Sequence, residues 1–229
     1  MDCESYENMN LLEESHWWFV SRKKIIKSIL DIYVTKNNSK SILEIGCGSG
    51  GNLKLLSEYG DISAIEMDNY SRKQANEKNI CKVKDGRLPN KLSINGLFDT
   101  ICLFDVLEHI DNDLRSLKTI YDHLNVDGKI ILTVPAYKFL WSGHDVASHH
   151  KRRYTKKQIV NILADSGFII CYSTYFNTLL FPIISFIRIL NKVFIRKESN
   201  TDVKKENQII NILLEKVFSL ESKILPKIT

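Results

Sequence analysis

Apolar residues along this chain come in short solid runs separated by longer, mixed stretches. Ser41–Ile45, Ile62–Ile65, Phe98–Phe104 and Lys129–Val134 are runs in which apolar residues predominate. A strand reads this way when both of its faces are buried, as in a parallel sheet. Ile80–Val83 is a shorter run of the same kind, and Phe168–Tyr175 predicts a sixth strand. Between them lie stretches of helical character: Asn52–Tyr59, stopped by Gly60; the polar Tyr70–Asn79; and Leu114–Leu124, closed by the turn Asn125-Val126-Asp127-Gly128. Thr155-Lys156-Lys157-Gln158 has the form of a capping box, opening a helix that Gly167 ends.

Strands therefore alternate with helices across 41–175. That alternation predicts an α/β fold with a doubly wound, mostly parallel sheet. The flanks differ. Ile25, Ile26, Ile29, Leu30 and Tyr33 recur at helical spacing, predicting a helix over 5–36 that Asn37-Asn38-Ser39 breaks. Thr178–Ile195 is strongly apolar but interrupted by Ser185, Arg188, Asn191 and Lys192, too short and broken to span a bilayer. A polar linker over 196–208 and an amphipathic helix over 209–225 follow. The expected organisation is a single domain, 1–229, with a helical cover (1–38), a core (39–175) and a helical appendage (176–229). No seventh strand is visible.

In such sheets ligands sit beyond the carboxyl ends of the strands. Glu44 with the glycines behind it, Glu66, Asp85, Asp105 and the stretch after Pro135 all fall at that edge. The glycines recur at every second position, Gly46, Gly48 and Gly50, in Glu44-Ile45-Gly46-Cys47-Gly48-Ser49-Gly50-Gly51-Asn52. Glycine lets backbone turn tightly and lie against a ligand. The third glycine comes one residue early for the dinucleotide fingerprint, which disfavours a nicotinamide enzyme. An acid just ahead suits a ligand carrying positive charge.

Charge changes the picture mainly by its distribution. The 229 residues carry +5 overall. The first 20 hold five acids and no Lys or Arg, whereas 151–229 hold 14 Lys and Arg against six acids. A basic C-terminal third suits an anionic neighbour: a phosphorylated substrate, a membrane surface or nucleic acid. No interleaved aromatic–basic motif supports nucleic acid. Five cysteines without a Cys-x-x-Cys argue against a disulfide framework or zinc site and for a reducing, cytoplasmic setting. Cys102 and Cys171, in apolar runs, read as small buried hydrophobes. No signal-peptide pattern opens the chain.

Two further segments stand out. Glu13-Glu14-Ser15-His16-Trp17-Trp18-Phe19-Val20-Ser21-Arg22 carries three adjacent aromatics that cannot all face one core, so one is expected over a pocket. Arg22 lies one helical turn past Trp18, on the same face. Trp141 to Thr155 gathers His144, His149, His150, Lys151, Arg152, Arg153 and Tyr154 at the ligand edge. A neutral histidine there can take a proton near pH 7. Their spacing forms no metal motif, so no metal is expected. A plainer reading has the arginines bracing Asp145 or the first helix.

The glycine loop with Glu44 ahead of it and Glu66 downstream resembles the first motif of the class I S-adenosylmethionine (SAM)-dependent methyltransferases. The His16-Trp17-Trp18-Phe19 and His150-Lys151-Arg152-Arg153-Tyr154 segments resemble those of a subset of small bacterial members. The resemblance covers roughly 10–175. It implies a Rossmann-like methyltransferase fold with SAM bound by Glu44, Gly46, Cys47, Gly48, Gly50 and Asn52. Glu66 would meet the ribose and Met67 the adenine. Asp85, Gly86 and Arg87 would lie beside the adenine amino group, and Asp105 and Val106 beside the methionine part. Trp18 and Arg22 would close over it. His150, then His109, with Tyr154, are the catalytic candidates, and His16, Arg152 and Arg153 the acceptor-binding ones. The expected acceptor is a small molecule or a glycan- or lipid-linked, anionic one, methylated on oxygen or nitrogen. Peripheral membrane contact is expected through 176–229. A SAM-binding subunit without catalysis and a membrane-surface module are the alternatives. The family sheet normally inserts its seventh strand between strands five and six, which leaves the far edge of this sheet open.

Overall fold

A computed structural model describes residues 12–90, 92–194 and 207–227. The first residues of the expected 5–36 helix and nearly all of the 196–208 linker lie outside the described residues. The helices are α1 (Trp17–Tyr33), α2 (Leu53–Leu56), α3 (Asn69–Glu77), α4 (Asp113–Tyr121), α5 (Gly143–Ala147), α6 (Lys156–Asp165), α7 (Phe181–Phe194), α8 (Gln208–Ser219) and α9 (Glu221–Ile224). The strands are β1 (Ser41–Ile45), β2 (Asp61–Ile65), β3 (Val83–Lys84), β4 (Phe98–Phe104) and β5 (Leu124–Thr133). They build two compact units. One is formed by 33–135 with 157–171, the other by 1–32, 136–156 and 172–229. The segment after Pro135, expected in the core, thus belongs with the N- and C-terminal helices.

The first unit holds the sheet, in the order β3-β2-β1-β4-β5. All four strand pairs are parallel. This is the doubly wound α/β fold that the alternating pattern predicts. Ile42 pairs with Ile62 on one side and Thr100 on the other, which makes β1 central. Ile42, Leu43, Ile101, Cys102 and Leu103 are fully buried, as two covered faces require. β3 is only two residues long and is stapled by a side chain. Asn76 on α3 accepts the Val83 N–H at 3.0 Å and donates to the Val83 carbonyl at 3.1 Å. Asp68 caps α3 by accepting the Ser71 N–H at 2.8 Å.

Several expectations give way here. The turn at Asn125–Gly128 lies inside β5 and not ahead of it: the register passes from Phe98↔Leu124 to Thr100↔Lys129, so these residues form a bulge that adds three residues to β5. A Cβ on Gly128 would meet the Asn125 carbonyl oxygen at 2.7 Å, so the bulge closes only over glycine. Among the described residues the sheet has five strands. Phe168–Tyr175 is not a strand, and Ile169 is 91% exposed. An extended run becomes a strand only when a neighbour takes its N–H and C=O groups. Among the described residues no strand lies on the outer side of β5, and Phe168–Tyr175 takes no place in the sheet. For the same reason Cys171 is exposed and not buried, whereas Cys102 is buried as expected.

In the second unit Asn211 of α8 caps α1 from far along the chain, its side-chain oxygen accepting the Trp17 N–H at 2.8 Å. Ile25, Leu180, Phe218 and Leu225 form the core, with Trp17, Trp18 and Phe176 packed on it. Buried Glu221 on α9 accepts the N–H groups of Asn177 (2.6 Å) and Leu179 (2.8 Å), fixing the turn that leads into α7.

Candidate functional site

The glycine loop leaves the end of β1 in the sheet unit. Gly46, Gly48 and Gly50 all have positive φ, at 70°, 57° and 84°. At Gly46 a Cβ would stand 2.7 Å from Val106 Cγ2, so Val106 closes one side of the loop. At Gly48 a Cβ would meet nothing within 4 Å. The bare backbone there faces open space.

Glu66 follows β2 and is tied to this loop. Its Oε2 accepts the Gly48 N–H and its Oε1 accepts the Asp68 N–H, each at 2.8 Å. A carboxylate oxygen has two lone-pair directions, so each oxygen keeps capacity for a further donor. Burial pushes the Glu66 carboxyl up from its ordinary value, against the pull of those two N–H groups. Met67 beside it is 62% exposed, a large apolar side chain at the loop's edge.

Glu44 is buried behind the loop, where it accepts from Asn52 Nδ2 at 3.1 Å and links strand end to helix start. Burial, with the charges of Glu44 and Glu66, pushes the Cys47 thiol far up, which keeps it un-ionised. Asp105 ends β4 at φ 58°, accepting from Thr133 Oγ1 at 3.0 Å. Asp is among the few side-chain-bearing residues that tolerate this conformation.

Arg72, which the motif reading passed over, organises the acidic edge. It donates to the Glu66 carbonyl at 2.8 Å, to the Met67 carbonyl at 3.2 Å and to Asp85 Oδ1 at 3.4 Å. One guanidinium thus joins the loops after β2 and β3. Its only sequence signal is a position one turn into the helix that follows Glu66. Gly86 is buried next to Asp85, and Arg87 is exposed. His109 is exposed and ends the short turn Leu107–His109 that follows Asp105 and Val106.

In the second unit the histidine-rich segment folds around Asp145. This residue is fully buried on α5. Arg153 grips it with Nε on Oδ1 at 2.7 Å and Nη2 on Oδ2 at 2.8 Å. His150 Nδ1 lies 2.8 Å from Oδ1, and the Ser142 N–H donates to Oδ2 at 2.8 Å. Burial alone would push this carboxyl up. The bonds from His150, Arg153 and Ser142 outweigh it and hold Asp145 well below the usual carboxylate range. Arg153 also donates to the Ala136 carbonyl at 3.0 Å, so three of its donors are engaged in bracing. The acceptor-binding expectation for Arg153 therefore meets a residue already occupied. Arg152 is half-buried and Tyr154 buried, its backbone paired with Ala136. A neutral His150 that donates Nδ1–H to Asp145 has its lone pair on Nε2, the arrangement a proton acceptor needs.

Trp17 and Trp18 both pack on Phe218, at ring separations of 5.9 and 5.3 Å. Two of the three adjacent aromatics thus share one core residue, while Phe19 meets His16 at a ring separation of 6.0 Å. His16 is buried against Trp17 and Phe19 and accepts the Trp18 N–H at 3.3 Å. Arg22 is half-buried one turn further on.

A family model described as "Methyltransferase domain" matches residues 18–172. A ubiquinone biosynthesis O-methyltransferase of Candida albicans is 26% identical over 110 residues, 44% of this chain and 34% of that protein. An uncharacterised protein of Haemophilus influenzae is 28% identical over 127 residues, half of each chain. The matches thus span between a third and a half of those relatives. Among solved structures, a chain of the complex between the Haloferax volcanii Trm112 methyltransferase activator and a methyltransferase superposes with a TM-score of 0.63. It has 13% identity and covers 94% of this chain and 90% of that one. The glycopeptide N-methyltransferase MtfA with bound SAM gives a TM-score of 0.55 at 16% identity, covering 67% and 86%.

Proposed function

The chain belongs to the methyltransferase-domain family, and from that premise we propose that it transfers a methyl group from SAM to an oxygen or nitrogen of a small or glycan- or lipid-linked acceptor. One observation carries the reading: the bond from Gly48 N–H to Glu66 Oε2 beside a backbone with nothing over it. A carboxylate held at a bare turn, with lone pairs to spare, suits a nucleoside ribose. The Candida relative is named for O-methyl transfer, which supports an oxygen acceptor.

SAM supplies an electrophilic methyl on a sulfonium. In this reading Glu66 accepts from the ribose hydroxyls and Met67 covers the adenine. Asp85, set by Arg72, accepts from its amino group beside Gly86 and Arg87. Gly46, Cys47, Gly48 and Gly50 supply the backbone surface, Glu44 and Asn52 hold that surface in shape, and Asp105 and Val106 line the methionine part. His150 takes the acceptor's proton on Nε2 while Asp145 stabilises the imidazolium that results. His16 and Arg152 are assigned to the acceptor, His109 is the second-choice base, and Tyr154 is kept as a catalytic candidate. Positioning of this kind supplies up to roughly 7–11 kcal/mol of the barrier.

Calorimetry with SAM and with NADH tests the cofactor. Binding of NADH but not SAM overturns the reading. His150→Ala then separates an enzyme from a SAM-binding subunit: turnover falls while SAM affinity holds. Unchanged turnover removes His150 from the chemistry.

A further inference from the structure

α7 and α8 each turn one apolar face inward and leave a second apolar face in solvent. On α7, Ile184 packs against the Phe218 cluster, while Ile183, Phe186, Ile187 and Leu190 are exposed. Those four recur at helical spacing, so they form one stripe. On α8, Leu214 and Phe218 face the cluster, while Ile209 and Leu213 are exposed. Phe186 is 64% exposed and Ile209 78% exposed. A helix that is apolar all round belongs in a covered setting, and a contiguous apolar patch of this kind marks an interaction surface.

The chemistry of the flanks says what covers it. α7 contains no acid. The chain from Lys192 to Lys205 carries Lys192, Arg196, Lys197, Lys204 and Lys205 against Glu198 and Asp202. An apolar stripe followed at once by a basic stretch is the pairing that an anionic lipid surface recognises. α7 has 14 residues, about 21 Å at the helical rise, well short of a bilayer core of roughly 30 Å. No described helix is long and apolar enough to cross a membrane.

We propose that this unit docks on an anionic bilayer, with the outer stripes of α7 and α8 lying in the interface. The docking is independent of the reaction catalysed.

Co-sedimentation of the full chain with vesicles of phosphatidylcholine, alone or mixed with phosphatidylglycerol, tests it. Partition should rise about tenfold or more with the anionic lipid and fall at high salt. Replacing Phe186→Ser with Ile187→Ser should lower it about tenfold, with circular dichroism and SAM binding unchanged. Ile209→Ser with Leu213→Ser repeats the test on α8. Failure of the wild type to sediment with mixed vesicles overturns the proposal. So does equal sedimentation of both folded double variants, or a wild-type dimer in sedimentation velocity that either pair of substitutions dissociates, since the stripes would then cover each other.

Discussion

Glu66 shows how much one side chain can carry. It is buried, bonded to two N–H groups and pushed up from its ordinary value of 4.5. A ribose hydroxyl donates to the ionised form, so binding favours loss of the proton. SAM affinity should therefore fall as pH drops through the raised value, beginning above the range where an ordinary Glu titrates. Glu66→Gln should cost about tenfold to a hundredfold in affinity and flatten that pH dependence, read by calorimetry across pH. Gly46 makes a steric case. Gly46→Ala places a Cβ against Val106 at a φ that side chains avoid, and should cost about 2–4 kcal/mol in denaturant unfolding. Glycines and acids at this edge were legible from spacing alone. Arg72 was not, because nothing in a polar helix distinguishes an arginine that bonds two carbonyls from one in solvent.

At the scale of elements, β3 and the Asp145 segment are each held by one polar side chain. Asn76→Ala removes both bonds to Val83 and should cost about 1–2 kcal/mol. Hydrogen exchange at β3 should rise more than at β1, which has partners on both sides. Asp145 organises 136–156. Its carboxyl is depressed in the fold, so its contribution is present above the unfolded value of 3.8 and is lost progressively as pH falls from there to the lower folded value. Asp145→Asn should lower stability by about 3 kcal/mol at neutral pH and flatten the acid limb of the unfolding curve below about pH 4. The basic loop was legible as a cluster with two readings. Bonds across eight residues of chain, from Arg153 to Asp145, decide for bracing at that residue. The sixth strand misled because its own residues are good strand formers, yet among the described residues none pairs with it.

At the scale of the whole molecule, SAM binding is linked to folding. At a hundred times its dissociation constant, SAM should stabilise the protein by about 2.7 kcal/mol, and NADH by none. The midpoint of thermal unfolding with each compound checks this. By itself the sequence determined the alternation of strands and helices, the parallel sheet and the acids and glycines at its carboxyl edge. Those depend on local period and on residues whose backbone freedom or charge is intrinsic. Tertiary structure alone decided that the sheet stops at five strands among the described residues. It also decided that the chain changes unit after Pro135, that Trp17 and Trp18 share Phe218, and that Asp145 absorbs Arg153. Each of these turns on a partner distant in sequence. Ladder bonds, ring contacts and buried ion pairs depend on what the chain brings alongside, and no run of neighbouring residues encodes that.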